Sequence, residues 1–370
     1  MSVFVDRLDR VRATMTEQGV DATLLSVGAD LPWLTGYEAT PLERLTMLVV
    51  PRDGDAVMFV PELEVPRVHP HPEVFSIVGW SETEDPVALV AKQIAGARRA
   101  VIGDTTWARF LVDLIGQLPG TTFGRASEVV GSLRAVKDAH EVDCLRVAAH
   151  VVDAIAHELQ TGAIPLIGRT EADVSAELGR RIIDGGHHRV NFAIVASGPN
   201  SASPHHHASD KVIGPDEVVL CDFGGTMSAP GEPGYCSDIT RCVYTGEPPT
   251  EFTALYDALF AAQGKARLGA LVGHTGAEVD GIARDGLTEA GYGEYFIHRL
   301  GHGIGVEEHE DPYLVASNHE AIEVGNAFSI EPGIYVPHTW GARLEDIVVA
   351  AADGPDVLNQ AARELFVVEA

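Results

Sequence analysis

Five short segments of the C-terminal half each place one carboxylate or imidazole within largely apolar, strand-like sequence, and this pattern constrains the fold most. The side chains are Asp222 in CDFGG, Asp238 in SDITR, His302 in GHGIG, Glu331 in SIEPGIY and Glu345 in RLEDIV. An unpaired carboxylate is costly to bury in an apolar row, and a cation removes that cost. Four carboxylates and one imidazole suit a pair of divalent ions. The sequence therefore predicts strands that converge on a two-metal hydrolytic site.

Strand periodicity indicates which acids face this site, because residues i and i+2 lie on one face of a strand. Asp222 continues an apolar face of its strand. Glu345 shares a face with Arg343, whereas Asp346 points the other way. We therefore select Glu345 as the inward acid, with Arg343 placed to orient or neutralise a ligand carboxylate. A strand-end salt bridge explains any one of these acids alone, but five together favour a metal site.

Histidines cluster in two glycine- or serine-rich segments. HRLGHGIGVEEHEDP carries His298, His302 and His309, and its glycines preclude a stable helix. A second group, His205 to His207, follows the loop ASGPNSAS. We expect one of these three adjacent histidines to face the cleft and the others to be solvated.

Charge and composition exclude several classes of partner. The formal net charge of -28 argues against nucleic acid and against an anionic membrane surface. No stretch approaches the roughly 18 apolar residues of a membrane span, and the charged N-terminus resembles no signal peptide. The cysteines, Cys144, Cys221, Cys236 and Cys242, form no C-x-x-C pair, which predicts reduced thiols in a cytoplasmic protein. A thiolate zinc site involving Cys221 and Cys236 remains an alternative.

The first half alternates helix and strand, which predicts a small α/β domain with a mixed sheet over residues 1–135. Residues 4–18 are expected to form an amphipathic helix. Asp53-Gly54 predicts a hairpin turn between two apolar strands. No catalytic cluster is evident in this half.

Near residue 135 the sequence changes to a long amphipathic helix over 132–160, so we place a second domain at 136–370. Thr170 is expected to cap a helix that ends at Gly185-Gly186. Further strands are predicted at 191–197, 217–225, 238–246, 327–336 and 343–350, and further helices at 251–270 and 277–290.

These motifs resemble the metallopeptidase family with the pita-bread fold, which contains Xaa-Pro dipeptidases (prolidases), aminopeptidase P and methionine aminopeptidase. The matching segments are SGPNSASPH, DFGG, SDITR, HRLGHGIG followed by HE, SIEPGIY and RLED. The N-terminal half resembles the creatinase-type domain, most clearly at LPWLTGY. The resemblance implies an α/β (α+β) chain with a creatinase-like mixed-sheet domain followed by a pita-bread catalytic domain.

The resemblance also implies roles for individual residues. The five metal-ligand positions fall on Asp222, Asp238, His302, Glu331 and Glu345. Glu331 is expected to act as general base as well, with His309 and His298 as catalytic histidines. Substrate-binding roles fall on His205, Tyr335 and Arg343. The family implies two divalent ions per subunit, taken here as Mn²⁺ with Co²⁺ or Zn²⁺ as alternatives, a short peptide substrate and a homodimer.

The function expected from the resemblance is hydrolysis of the N-terminal Xaa-Pro bond of dipeptides or short peptides. The alternatives are an aminopeptidase P-like enzyme on longer peptides, a non-peptidase two-metal hydrolase, and a silent peptide-binding module of the same fold. Creatinase shares the fold without metals, but the complete ligand set argues against that assignment.

The sequence departs from the family pattern at two places. Fifteen residues separate Asp222 from Asp238, and they are expected to form a long turn near the cleft mouth that affects substrate access. The stretch EDPYLVASNHEAIEVG after His309 lacks the arginine with which many prolidases bind the carboxylate of a dipeptide. We expect His205, Arg343 or a partner subunit to meet that carboxylate instead.

Overall fold

The computed structural model describes residues 3–229 and 231–369 and divides into two compact units. The first contains Met1–Arg134 and Ser228–Gly234, and the second contains Ala135–Met227 and Tyr235–Ala370. Both units mix helices with β-sheet, as the sequence predicts. Within the described residues, no helix is both long enough and apolar enough to span a membrane.

The first unit is a six-stranded mixed sheet with helices. Its helices are α1 Val3–Gln18, α2 Asp30–Thr35, α3 Pro86–Gln93, α4 Ala108–Gln117 and α5 Gly131–Ala135, the last spanning the boundary between units. Its strands are β1 Ala22–Leu25, β2 Met47–Pro51, β3 Ala56–Pro61, β4 Phe75–Trp80, β5 Arg99–Ile102 and β6 Thr122–Arg125. The strand order is β4-β3-β2-β1-β5-β6.

The predicted hairpin at Asp53-Gly54 is confirmed, because β2 and β3 pair antiparallel on either side of it. Gly54 has φ 112°, a conformation that favours glycine. The apolar faces of this sheet pack against α3 and α4 in one core cluster.

The second unit carries the predicted metal-binding segments. Its helices are α6 Ala139–Gln160, α7 Glu171–Asp184, α8 Thr250–Gly269 and α9 Gly276–Glu289. Its strands are β7 Arg189–Ser197, β8 Glu217–Met227, β9 Tyr235–Cys236, β10 Ile239–Thr245, β11 Gly301–Gly303, β12 Glu310–Leu314, β13 Ala327–Ile330, β14 Gly333–Val336, β15 Trp340–Arg343, β16 Asp346–Ala351, β17 Gly354–Val357 and β18 Phe366–Val368.

Two five-stranded sheets and one hairpin organise these strands. One sheet runs β18-β10-β8-β7, with β9 paired to β8, and the other runs β12-β11-β13-β16-β17. The hairpin is β14-β15. Helices α8 and α9 bury their apolar faces in one cluster with strand residues, and α6 and α7 do so in another. The predicted Thr170 cap is observed, since its Oγ1 accepts a hydrogen bond of 3.1 Å from the Asp173 amide.

Three element predictions need correction. The helix predicted over 132–160 is broken, because Asp138 caps a new helix by accepting from the Glu141 amide. The strand predicted at 327–336 is interrupted at residues 331–332, and the strand predicted at 343–350 is interrupted at residues 344–345. The glycine-rich segment around His302 forms the short strand β11, in agreement with the prediction that it is not helical. Both strand interruptions fall at candidate site residues.

Candidate metal centre

Strand register brings three of the predicted acids together. Asp222 in β8 pairs opposite Thr240 in β10, and Asp238 directly precedes β10. Thr240 also forms an isolated bridge with Glu345, and its hydroxyl donates a 2.7 Å hydrogen bond to Glu345 Oε2. Thr240 therefore joins the strand that carries Asp222 to the segment that carries Glu345.

His302 and Glu331 come from the second sheet. His302 is the middle residue of β11, and Glu331 follows the end of the neighbouring β13. The Ser329 hydroxyl accepts from the His302 amide at 3.0 Å and donates to Glu331 Oε1 at 3.0 Å. The His302 Nε2 atom lies 3.2 Å from Glu331 Oε1 and 3.7 Å from Asp238 Oδ2. Ser329 thus holds both the backbone of His302 and the carboxylate of Glu331 in place.

All five predicted ligand residues line one cavity of about 980 Å³. Within it, single ligand atoms of Asp238, His302 and Glu345 all lie within 4.8 Å of one another, which is close enough to bind a common ion. This group contains no cysteine. Cys221 and Cys236 belong to apolar core clusters, and burial raises the pKa of Cys236 to about 12. The thiolate zinc alternative is therefore not supported.

The donor atoms fit divalent cations. Among the described residues, the Oδ1 atoms of Asp222 and Asp238 are buried without a hydrogen-bond partner. The His302 Nδ1 atom lies 3.1 Å from the Gly303 carbonyl, which can only accept, so Nδ1 carries the proton of the neutral ring. The Nε2 lone pair is then directed at carboxylate oxygens. Divalent cations bound at these atoms would give each of them a partner.

Burial and mutual repulsion perturb the pKa values of the clustered acids. Desolvation, followed by the nearby Glu345 and Asp222 carboxylates, raises the pKa of Asp238 well above its usual value. Desolvation and then Glu331 do the same to the pKa of Glu345. Desolvation raises the pKa of Glu331 to about 7, and it lowers the pKa of His302 to about 3. Without a cation, the folded chain resists full ionisation of this cluster.

We expect the raised pKa of Glu331 to make the metal-free protein lose stability, relative to a Glu331→Gln variant, as the pH rises from about 5 to 7. A carboxyl whose pKa is raised on folding stabilises the fold below its unfolded pKa, and this contribution is lost as the pH rises through the folded value of about 7 for Glu331. Buried histidines whose pKa is lowered on folding, such as His302, change stability in the opposite direction over a similar range, so wild type and variant are compared at each pH. Melting temperatures of chelated protein across these pH values test this. The melting temperature of wild type should fall relative to that of Glu331→Gln as the pH rises, and equal slopes in both proteins would contradict the explanation.

Arg343 holds one side of the cluster in place. Its Nη2 donates to Asp222 Oδ2 at 2.6 Å, and its Nη1 donates to the Tyr335 hydroxyl at 2.7 Å. The His298 Nδ1 atom lies 2.7 Å from a carbonyl oxygen, so its Nε2 accepts from the Tyr335 hydroxyl at 3.0 Å. Both ring nitrogens of His298 are thereby engaged by the protein, although the residue lines the cavity.

The other predicted histidines also line the cavity. The His309 ring lies against the His302 ring, with centroids 3.9 Å apart. Desolvation and the nearby Arg299 cation lower the pKa of His309. His205, His206 and His207 all line the cavity, whereas one was expected to face it; His205 and His207 are exposed, as expected of solvated side chains, and His206 is half-buried. His206 is held in this position by Glu171, because its Nε2 lies 2.8 Å from Glu171 Oε2.

Glu171 organises the loop that carries these histidines. This buried carboxylate, at the start of α7, accepts hydrogen bonds from the loop at Ser197, Asn200, His206 and Ser209, including both the amide and the hydroxyl of each serine. Burial alone would raise the pKa of Glu171, but these hydrogen bonds outweigh it and lower the pKa to about 2. The loop from Ser197 to Ser209 is therefore tied to one buried charge.

Replacing Glu171 with glutamine is expected to destabilise the protein by about 3 kcal/mol or more. The amide hydrogens of the glutamine side chain would point at N–H and O–H donors of the loop that now bind a carboxylate oxygen. Urea unfolding measures this. The matched control is Glu177→Gln on the same helix, which removes partly exposed ion pairs to Arg169 and Arg181 and should cost about 1 kcal/mol. Equal costs for the two variants would contradict the role given to Glu171.

The structure also places residues in the cavity that the sequence did not single out. Arg299, Glu308 and Phe192 line it, and the Arg299 guanidinium lies 4.3 Å from the Tyr313 ring centroid. Arg299 stands inside the HRLGHGIG motif, between two predicted site residues, which was an available signal. The described residues between Asp222 and Asp238, 223–229 and 231–237, contribute nothing to the lining, so the predicted effect of this segment on access is not supported.

Comparisons with known proteins agree with this architecture. Residues 143–352 match the model of metallopeptidase family M24, and residues 7–136 match the creatinase/prolidase N-terminal domain. The chain is 40% identical over 373 aligned positions to a Mycobacterium tuberculosis protein named probable dipeptidase PepE, covering 99% of this chain and 97% of that one.

Two solved structures are similar along essentially the whole chain. A recombinant prolidase from Thermococcus sibiricus has a TM-score of 0.92 at 32% identity, with 100% of both chains covered. An Xaa-Pro dipeptidase from Bacillus anthracis has a TM-score of 0.88 at 32% identity, with 99% of this chain and 100% of that chain covered. The predicted family and the predicted two-domain α/β fold class are confirmed. The chain is a metallopeptidase that belongs to family M24 and carries a creatinase/prolidase N-terminal domain.

Proposed function

We propose that this chain hydrolyses the N-terminal Xaa-Pro bond of dipeptides or short peptides at a centre of two divalent ions. The observation that carries the proposal is the convergence of all five predicted ligand residues in one cavity, with two buried carboxylate oxygens that lack partners. The Xaa-Pro preference is supported by the prolidase and the Xaa-Pro dipeptidase that resemble this chain over nearly its full length.

Asp222, Asp238, His302, Glu331 and Glu345 are the proposed ligands, and their carboxylate-rich composition favours Mn²⁺ over softer ions. When bound, the two ions would polarise the scissile carbonyl and make water nucleophilic near neutral pH. Glu331 is then placed to take the proton of the attacking water and to deliver it to the prolyl nitrogen as the C–N bond breaks.

The proposed histidine roles follow from hydrogen-bond capacity. Arg299 Nη2 lies 3.5 Å from His309 Nδ1, so Nδ1 is the accepting atom and Nε2–H can donate to the developing oxyanion. His205 is proposed to bind substrate from the loop held by Glu171. His298 can hydrogen-bond substrate only by exchanging its Tyr335 contact, while Tyr335 and Arg343 support the pocket wall.

A proline substrate suits such a centre. The prolyl nitrogen of a Xaa-Pro bond has no N–H, so peptidases that depend on that donor fail. Polarisation of the carbonyl does not require it. A cavity of about 980 Å³ also has room for more than a dipeptide, which favours aminopeptidase P-like cleavage of longer peptides as the second candidate.

The test compares Ala-Pro, Ala-Pro-Ala and Ala-Ala as substrates for chelated protein, with and without added Mn²⁺. We expect metal-dependent cleavage of Ala-Pro and little cleavage of Ala-Ala. Cleavage of the tripeptide instead would support the aminopeptidase P-like activity. Absence of cleavage with metal bound would overturn both and leave a non-peptidase hydrolase or a peptide-binding module.

We also propose finer assignments that the resemblance supports: domains at residues 1–135 and 136–370, a homodimer, and a cytoplasmic location. Cys221, Cys236 and Cys242 are buried thiols outside any disulfide, which suits a reducing compartment. Light scattering of the purified protein would test the dimer directly.

A further inference from the structure

The cavity contains few positive charges for an enzyme whose proposed dipeptide substrate ends in a carboxylate. Besides six histidines, its ionisable lining contains the acids Asp222, Asp238, Glu308, Glu331 and Glu345, and its only lysine or arginine residues among those described are Arg299 and Arg343. A substrate carboxylate that enters this acidic cavity needs a cationic partner. One of these two arginines must provide it if the chain itself does so.

Arg343 is already committed. Its Nη2 binds Asp222, its Nη1 binds the Tyr335 hydroxyl and the Pro204 carbonyl, and its Nε donates to Thr240 at 3.0 Å. The residue is buried, and a new anion would have to displace its contact with Asp222. Breaking that pair would leave a buried carboxylate uncompensated, which is costly.

Arg299 has the opposite character. Among the described residues, no carboxylate forms an ion pair with its guanidinium, whose contacts are the Tyr313 ring at 4.3 Å and His309 Nδ1 at 3.5 Å. Stacking on an aromatic ring orients a guanidinium while leaving its in-plane N–H groups able to bind a carboxylate in a bidentate way. Arg299 is therefore a held but unpaired cation that lines the cavity.

Its position also matches the length of a dipeptide. The scissile carbonyl and the C-terminal carboxylate are one residue apart, about 3.8 Å along the chain. The group that binds the carboxylate must therefore stand beside the groups that surround the scissile bond. Arg299 lies beside this region, because its Nη2 is 3.5 Å from His309 Nδ1 and the His309 ring lies against the ring of His302.

We propose that Arg299 is the specificity-determining residue that binds the C-terminal carboxylate of a Xaa-Pro dipeptide, with Tyr313 as its positioning residue. This inference rests on the proposed Xaa-Pro hydrolysis. In this chain Arg299, which precedes His302, would take the place of the arginine that is missing after His309. Its guanidinium contacts the His309 ring. The site then favours dipeptides over substrates whose second residue has no free carboxylate.

The test measures kcat and KM for Ala-Pro and for its C-terminal amide, with Mn²⁺-loaded wild type and Arg299→Gln. The wild type should prefer the carboxylate roughly 10- to 100-fold in kcat/KM, as expected for a charge-assisted hydrogen-bonded pair. The variant should lose that preference mainly through a higher KM for Ala-Pro, because the pair forms in ground and transition states alike. The readout is the ratio of kcat/KM for the two substrates within each protein, which a general loss of activity does not change, and a melting temperature close to that of wild type shows that the variant is folded.

Two further variants separate charge from position. Arg299→Lys keeps the charge and should retain part of the preference. The matched control is Arg109→Gln, since Arg109 is exposed, lies outside the cavity lining and also stacks on an aromatic ring, with its guanidinium 5.2 Å from the Phe110 centroid. It should behave as wild type. If the wild type prefers Ala-Pro and Arg299→Gln keeps that preference, the inference is overturned and the proposed function stands. If the wild type cleaves neither substrate, the proposed function itself fails.

Discussion

Replacing Glu345 with glutamine should abolish metal uptake and lower hydrolysis of Ala-Pro by at least about 10³-fold, because it removes one member of the group of ligand atoms that lie within 4.8 Å of one another. The same variant should be more stable than metal-free wild type at pH 8. Burial and the neighbouring Glu331 and Asp222 carboxylates raise the pKa of Glu345 well above its usual value, so its ionised form is disfavoured in the fold. A neutral amide relieves that cost.

Both effects are measured on one preparation. Bound metal is determined by elemental analysis, turnover is measured with added Mn²⁺, and the melting temperature is measured after chelation. Mn²⁺ should raise the melting temperature of wild type and leave that of Glu345→Gln unchanged. A variant that keeps full metal content and full turnover would remove Glu345 from the centre.

Asp346→Asn should have the opposite signature, a loss of stability of about 3 to 5 kcal/mol, because it breaks one side of a buried ion-pair network. Asp346 is fully buried and accepts from Arg241 Nη2 at 2.6 Å, Arg267 Nη1 at 2.9 Å and Gln263 Nε2 at 2.7 Å. Burial would raise the pKa of Asp346, but the two arginines outweigh it and keep the carboxyl ionised. Its loss leaves two guanidinium groups without their anion.

Glu345→Gln serves as the matched control, since the two acids are adjacent in sequence and the substitution is equivalent. Urea unfolding of the chelated proteins should order them as Glu345→Gln above wild type and wild type above Asp346→Asn. Mn²⁺ should still bind to whatever fraction of Asp346→Asn is folded. Similar stability for the two variants would contradict the assignment of one acid to the metal centre and the other to the core.

This contrast also shows what the sequence can reveal. Alternation along RLEDIVV predicted that Glu345 and Asp346 point to opposite sides, and the structure places them so, although β15 ends at Arg343 and β16 begins only at Asp346. The prediction succeeds because the Thr240 bridge at Glu345 keeps the chain extended across the interruption. The acids were recognisable since a charge in an apolar strand is locally anomalous.

The features missed by the sequence depend on contacts between distant segments. Glu171 looked like an ordinary acid of a helix start, and its importance comes from donors that lie between Ser197 and Ser209. The role proposed for Arg299 depends on its contact with the ring of Tyr313, a residue of β12. Two of the three adjacent histidines, His205 and His207, are exposed as predicted, but the sequence could not show that His206 is the one held by Glu171. Periodicity reports the direction of a side chain along one strand but not which other segment it meets.

Titrating chelated protein with Mn²⁺, while following both bound metal and hydrolysis of Ala-Pro, tests whether the cavity is a hydrolytic centre of two divalent ions. We expect no turnover before metal is added, and turnover that saturates as two ions bind per chain. Full turnover of Ala-Pro in chelator, with no metal bound to the protein, would contradict it.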